Sequence, residues 1–356
     1  MMEPEPGNPM EVEGVLNPAS ARGRDGQLYR CPRLVAQGNY SRIGIARVRF
    51  NEAGDPVGVE RLGIALEPQA DYELRPNGGG CEDPRITFIE PLDRYVMTYT
   101  ALSSRGPRIA LAMSEDLFHW DRLGLASFMP YEGVDFNDVA NKDALLFPIA
   151  ISDPDGNPAM ALIHRPLFPG TGPDEKLHCR FPPVMDILRE SIWISYHSLV
   201  NEICTEHHHL CHFDMHRRLA CPVAAWEQLK IGGGTPPILT PQGWLFLYHG
   251  VCETVNKDNS ASNLGYSAGL LLDEKHPHQI RYRSPEPILT PELHQEREGI
   301  VPNVVFPTAI DRRDDLGLPG RFDVYYGMAD KRIGAARLDL PAHLSSEASA
   351  LRAGLI

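Results

Sequence analysis

Tyr95-Val-Met-Thr-Tyr-Thr-Ala-Leu102 followed by Ile109-Ala-Leu-Ala-Met-Ser114 is the phrase on which the fold turns: an apolar run ending in a polar or aromatic cluster, then a run of small and branched residues. Short apolar runs of this kind read as strands rather than helices. The phrase recurs as Leu28 to Ala36 with Ile43 to Val48, and as Ala159-Met-Ala-Leu-Ile-His-Arg165 with Ile192-Trp-Ile-Ser-Tyr196. Two further copies are Trp244-Leu-Phe-Leu-Tyr-His249 with Leu264 to Leu272, and Phe322-Asp-Val-Tyr-Tyr326 with Ile333 to Leu338. Ahead of four copies lies a third run: Asp83-Pro-Arg-Ile-Thr-Phe88, Asp143-Ala-Leu-Leu-Phe147, Thr235-Pro-Pro-Ile-Leu239 and Asn303-Val-Val-Phe306. Units of three or four strands, starting roughly 65 to 85 residues apart, are too short to bury a face alone, and such self-similarity predicts blades around an axis. The expected fold is all-β, a five-bladed β-propeller, in preference to a sandwich.

A chain of 356 residues ordinarily divides into two or more domains, but repeated blades form one closed unit. The expected organisation is a flexible N-terminal segment 1–16, a five-bladed propeller 17–341 and a C-terminal extension 342–356 whose Ala, Ser and Leu suit a short helix packed outside. No run of 18 apolar residues occurs, and Met1 to Gly14 is acidic and Pro-rich with no apolar h-region, so neither a membrane span nor a secretory signal is expected. Seven cysteines with no CxxC spacing agree with a reducing compartment, hence a cytoplasmic location. The formal charge of −13 argues against nucleic acid and anionic membranes as partners, because counterion release needs a concentrated basic surface. A homo-oligomer is compatible with all of this, and the motifs leave the oligomeric state open.

In a propeller the innermost strands line the channel and their beginnings face the functional mouth. Those beginnings are Glu82-Asp83-Pro84-Arg85, Asn141-Lys142-Asp143, Lys230-Ile-Gly-Gly-Gly-Thr235 and Pro302-Asn303, backed by Arg33, His164-Arg165, His249 and Asp330 at the ends of second strands. Carboxylates and cations converge on one axis, while Gly78-Gly79-Gly80 and Gly232-Gly233-Gly234 let backbone approach a ligand closely. A mixed-charge pocket of this kind suits a sugar and an anion. Each residue also has a plainer use: Asp83 before Pro84 as a turn residue, Lys142, Arg165 and Lys230 as charges at strand edges, His249 as a satisfied core histidine. Their co-occurrence in equivalent positions of an acidic chain favours the functional reading.

Cys81-Glu-Asp-Pro-Arg-Ile86, Asn141-Lys-Asp-Ala-Leu-Leu-Phe-Pro148, Leu162-Ile-His-Arg-Pro166, Leu229-Lys-Ile-Gly-Gly-Gly-Thr-Pro-Pro237, Leu247-Tyr-His-Gly250, Val301-Pro-Asn-Val-Val-Phe-Pro307 and Tyr325-Tyr-Gly-Met-Ala-Asp330 together resemble glycoside hydrolase family 130, the β-mannoside phosphorylases and their hydrolase relatives. The resemblance runs from about Asn17 to Leu340. It implies a five-bladed propeller that cleaves a β-mannosidic bond with inversion, using inorganic phosphate to release α-mannose 1-phosphate. It implies Asp83 as general acid, its proton passing through the mannose 3-hydroxyl; Lys142, Arg165, Lys230 and His249 as the phosphate clamp; and Asn17, Arg33 and Asp330 around the mannosyl unit. Glu82 and Asn303 join the expected substrate-binding set. Two departures stand out: Lys142 replaces an Arg of many members, keeping charge without the bidentate fork, and Glu82 replaces a Tyr, placing a second carboxylate beside Asp83.

The residue inventory makes chemical sense of phosphorolysis. An inverting hydrolase needs an acid and a base, whereas phosphate is already a nucleophile and needs a cationic cradle. The expected partners are a manno-oligosaccharide and phosphate as co-substrate, with no cofactor; the alternatives are an inverting β-mannosidase and a non-catalytic sugar-binding propeller. Cys204-Thr-Glu-His-His-His-Leu-Cys-His212, extending to His216 and Cys221, offers nitrogen and sulfur donors, but its spacing fits no standard zinc motif. It reads as a loop beside the acceptor subsite, and no metal site is expected. Asp135, Asn137 and Asp138 form an acidic loop that either touches a sugar hydroxyl or turns the chain, Trp120 reads as blade packing, and no GxxxxGK[ST] or GxGxxG context implies a nucleotide.

Overall fold

The computed structural model describes residues 1–131, 135–168, 190–199, 210–255, 261–318 and 320–342. Its strands fall into four sheets of eight, six, five and three strands. The largest comprises β1 (Gly14–Arg22), β2 (Leu28–Ala36), β3 (Tyr40–Phe50) and β4 (Pro56–Leu66), then β5 (Gly79–Ile89), β6 (Arg94–Ser103), β7 (Gly106–Ser114) and β8 (Asp121–Leu125). These are two antiparallel four-stranded meanders, joined only where Tyr40 and Ser41 of β3 run parallel to Gly79 and Gly80 of β5. The second sheet holds β9 (Ser127–Phe128), β10 (Ala140–Leu146), β11 (Ile151–Ser152), β12 (Pro158–Leu167), β13 (Ile192–Ser198) and β14 (His212–Ala220). The third holds β15 (Lys230–Gly233), β16 (Ile238–Thr240), β17 (Gly243–Val255), β18 (Ala261–Leu272) and β19 (Ile280–Arg283), and the last β20 (Val305–Arg312), β21 (Arg321–Met328) and β22 (Arg332–Asp339). Two meanders in the first sheet and one in each of the other three make five units.

All five two-run phrases are hairpins of paired strands: β2 with β3, β6 with β7, β12 with β13, β17 with β18, and β21 with β22. Their near-continuous apolar runs follow from burial on both faces, as in β21, every residue of which is buried. Sequence reading missed β1, whose Asn17-Pro18 breaks its apolar pattern, and the outer strands, of which β8 and β19 are short, β14 is polar and β4 is interrupted by Gly58, Glu60-Arg61 and Gly63. The expected run Thr235 to Leu239 is split, because Gly234 and Thr235 both donate to the Leu247 carbonyl (2.9 and 3.1 Å) and displace the strand. The expected C-terminal helix lies in residues outside those described.

The core lies in the seams between units. Met97, Tyr99 and Cys81 meet Ile43 and Ile45 between the first and second units, Val96 and Leu111 meet Leu146 and Trp193 between the second and third, and Ile163 and Ile194 meet Phe246 and Leu270 between the third and fourth. Leu245 and Leu271 meet Phe322 and Val324 between fourth and fifth, and Leu28 and Val48 meet Tyr325 and Ala309 between first and fifth. Truncating one fully buried aromatic such as Phe246 to alanine costs about 3–5 kcal/mol. Ions reinforce the contact of first and fifth units: Arg22 grips Asp311 with two hydrogen bonds (3.0 and 2.7 Å), and Arg321 reaches Asp55 at 2.7 Å. The segment expected to be a flexible lead-in also makes contacts, Met2 bridging to Ile333 and buried Glu11 pairing with Arg61 at 2.9 Å. No helix among the described residues is long and apolar enough to cross a membrane.

Candidate active site

One local device builds the site three times. The register of β1 slips between Leu16 and Ala19, that of β5 between Glu82 and Arg85, and that of β10 between Lys142 and Leu145. Inside these bulges sit Asn17, Asp83 and Asp143, all left-handed, with φ of 43°, 46° and 56°. Asn and Asp tolerate that conformation better than other non-glycine residues, and Pro18 and Pro84, which lack an N–H, are tolerated where the ladder is already broken. The bulges re-aim these side chains out of the ordinary alternation of the strand.

Around Asp83 the two motif carboxylates share one arginine. Asp83 Oδ1 accepts from Asn17 Nδ2 at 2.9 Å and from Arg33 Nη1 at 3.1 Å. Arg33 also donates to Glu82 Oε1 (2.7 Å), Ser41 Oγ (2.9 Å) and Asn39 Oδ1 (2.9 Å). Burial alone would raise the Asp83 carboxyl, but Arg33, Arg85, the Asn17 hydrogen bond and Lys142 outweigh it and hold the group below its ordinary value. Asp330, left-handed in the β21–β22 turn, is pushed the other way, up to about 6, by burial and by the charge of Asp83. Asp83 is therefore not a turn cap: its side chain is tied to Asn17 and Arg33 of the neighbouring unit.

The second group surrounds Gly232. Asp143 Oδ2 accepts from Arg165 Nε at 2.6 Å, and Arg165 Nη1 also pairs with Glu190. A side chain on Gly232 would lie 2.4 Å from both Asp143 Oδ2 and His249 Cε1 and 2.7 Å from Arg165 Nε, so these three side chains converge on its Cα. Register places Lys142 opposite Arg165, and Gly232 opposite His249. Despite burial, Arg165 and Arg85 hold the Asp143 carboxyl far down. Burial, with Arg165 and Lys142 nearby, lowers Lys230 to about 8. Burial also pushes His249 down to about 3, with Arg165 and Lys230 adding to the effect, so it enters as a neutral imidazole. Its Nδ1 is buried without a hydrogen-bond partner among the described residues, and its ring stands edge-on to Phe306 with centroids 4.6 Å apart. Neither lysine ammonium has a hydrogen bond or ion pair among the described residues.

Arg85 joins the two groups, and the sequence reading left it out of the site. It donates to the Asp83 carbonyl (2.8 Å) and to the carbonyls of Gly234 (3.1 Å) and Gly233 (3.4 Å), and lies 3.9 Å from Asp143 Oδ1. Its presence in the Asp-Pro-Arg run was the available signal. Asp143 was missed for a related reason: it was read as part of a strand beginning, where its left-handed backbone leaves no trace in composition. Asn303, also left-handed (φ 59°), holds Gly265 N through its carbonyl at 2.9 Å, and its side chain makes no hydrogen bond to either group among the described residues. Of the His/Cys-rich segment, residues 204–209 lie outside the described ones. His216 donates or accepts through Ser195 (2.7 Å) in a buried chain that continues to His164 (2.7 Å), and among the described residues no cluster suited to a metal occurs. Asn137 turns the chain, its amide bonded to both backbone groups of Phe128 (2.8 and 2.7 Å).

The model of glycoside hydrolase family 130, described as β-1,4-mannooligosaccharide phosphorylase, matches residues 7–343. The chain is 31% identical over 347 residues to a 1,2-β-oligomannan phosphorylase of Thermoanaerobacter sp. (strain X514), covering 96% of this chain and 95% of that protein. It is 31% identical over 255 residues to a β-1,4-mannooligosaccharide phosphorylase of Ruminococcus albus, covering 71% and 61%. The fold is similar to that of the β-1,2-mannobiose phosphorylase of Listeria innocua solved with β-1,2-mannobiose, with a TM-score of 0.67 at 22% identity over 95% of this chain and 94% of that one. With its Asp-Pro-Arg bulge, its glycine-centred cation group and a match that spans nearly its whole length, the chain belongs to glycoside hydrolase family 130.

Proposed function

We propose that this protein is a glycoside phosphorylase that cleaves β-mannosides with inversion, consuming inorganic phosphate and releasing α-mannose 1-phosphate. The observation that carries the reading is the state of the cations: two lysines beside Arg165 have no partner among the described residues, while the two carboxylates beside Asp83 and Gly232, Glu82 and Asp143, are held by Arg33 and Arg165. Phosphate needs such cations and no base; water needs the reverse. The near-complete match to a 1,2-β-oligomannan phosphorylase puts the β-1,2 linkage first and β-1,4 second.

In this reading phosphate lies against Lys142, Arg165 and Lys230, with neutral His249 offering a ring N–H, and its oxygen attacks C1 from the face opposite the leaving sugar. The C1–O bond to the acceptor breaks as Asp83 supplies the proton, through the mannose 3-hydroxyl, and the acceptor leaves as an alcohol. The arriving dianion weakens the pull of Lys142 and Arg85 that holds the Asp83 carboxyl down, which favours its protonated form when both substrates are bound. Asn17, Arg33 and Asp330 take the mannosyl hydroxyls. We also propose that the five units are the blades of a propeller, a reading supported by the apolar seams and by the Arg22–Asp311 contact of first and fifth units.

The test is product analysis from β-1,2- and β-1,4-mannobiose with and without inorganic phosphate. Mannose 1-phosphate formed only with phosphate supports the proposal and identifies the linkage. Free mannose made equally in both buffers would replace it with a hydrolase.

A further inference from the structure

We propose that Glu190 is a resident counter-ion of Arg165 that inorganic phosphate displaces on binding, an inference that rests on the phosphorolytic reading above. Among the described residues the guanidinium of Arg165 has two carboxylate partners of different character. Asp143, on its Nε, has a side chain only 4% exposed and also faces Arg85 at 3.9 Å, so it is a fixed part of the scaffold. Glu190, on Nη1, retains 18% exposure, and its carboxylate is held by Arg165. Its backbone sits beside the clamp: Glu190 bridges to Lys230, and Ile231 N donates to the Glu190 carbonyl at 3.2 Å. Glu190, Lys230 and Arg165 therefore meet at one corner of the group around Gly232.

A phosphate spanning Lys142, Lys230 and Arg165 reaches the guanidinium edge that Glu190 occupies. Two anions on one edge repel, and the displaceable one is the exposed side chain on a flexible stem, not buried Asp143. Swinging out, Glu190 exchanges its charge-assisted hydrogen bond for water while the dianion takes a stronger one. The arrangement neutralises part of the cationic cluster when no phosphate is present and sets a threshold that a weakly held monoanion does not pass.

The experiment is calorimetric titration of the full chain with inorganic phosphate, wild type against Glu190→Gln and Glu190→Asp, with steady-state constants for phosphate and for the mannoside. Removing the competing charge should tighten phosphate binding and lower its KM by about tenfold in Glu190→Gln, leaving the KM for the mannoside unchanged. Glu190→Asp, which keeps the charge, should stay within about threefold of wild type. Sulfate, a second dianion, should follow the same order. Weaker phosphate binding by Glu190→Gln would make Glu190 a residue that orients Arg165 and overturn the proposal, and an unchanged affinity would overturn it too. A wild-type protein that turns over mannoside yet binds no phosphate would instead remove the phosphorolytic reading, a separate result visible before any variant is made.

Discussion

The groups around Asp83 and around Gly232 each set an arginine against carboxylates, yet the first has no cation left over, whereas the second holds two lysines with no partner among the described residues. Arg33 has four acceptors and Asp83 two side-chain donors, a closed set that fixes a carboxylate to within a hydrogen bond's tolerance. Beside Gly232 one arginine is paired, two lysines are not, and a buried imidazole has an idle nitrogen. In the phosphorolytic reading proposed above, the difference is what each substrate requires. A sugar brings no charge, so the groups that orient and protonate it must be neutralised internally; a phosphate brings the missing charge with it, and a cluster prepared for it is left short of anions.

The comparison is most easily broken at Asp83. Asp83→Asn keeps the hydrogen bond to Arg33 but cannot give up a proton, and turnover should fall about a thousandfold with little change in melting temperature; mannose 1-phosphate formation at near-normal rate in a folded variant would remove Asp83 from the acid role. Next is Gly232→Ala. Its methyl group would press on Asp143, His249 and Arg165 at 2.4 to 2.7 Å, and phosphate KM should rise about a hundredfold, read by varying phosphate at saturating sugar. A rise confined to the sugar would put phosphate elsewhere.

Lys230→Ala deletes a charge-assisted contact, and phosphate KM should increase about thirtyfold with the sugar constant unmoved. Lys230 is lowered to about 8, so its cation is present below that pH and lost above it. Phosphate affinity of the wild type should therefore fall as pH rises through about 8, and Lys230→Arg, which stays charged, should abolish that limb; a limb that persists belongs to another group. The smallest effect is expected at Glu82. Arg33 keeps Asp83, Ser41 and Asn39 in Glu82→Gln, so kcat should drop only about threefold, whereas loss of all activity would reveal Glu82 as a base and favour hydrolysis.

Much of the site was legible in the chain, though unevenly. Asp83, Lys142, Arg165, Lys230 and His249, which the structure brings into two neighbouring groups, were singled out because each lies next to a short, regular apolar run that locates it at a strand end. Arg85 and Glu190 were not singled out, since their importance lies in partners far along the chain: Arg85 with Gly233 and Gly234, Glu190 with Arg165, 25 residues before it. His249 was counted as a cation, and only the surrounding Arg165 and Lys230, together with burial, make it neutral. Strand β1 was missed because the bulge at Asn17-Pro18, which creates the site, also interrupts the pattern by which strands are recognised.

Local chemistry thus settled the β architecture, the hairpins and the turn-prone Asn and Asp positions, because hydrophobic period and backbone preference are properties of neighbouring residues. Which charges end up neutralised, and which are left for a ligand, was decided by tertiary structure. Ion pairing and desolvation depend on distances across units, from Arg33 to Asp83 and from Arg165 to Asp143, that no local pattern encodes.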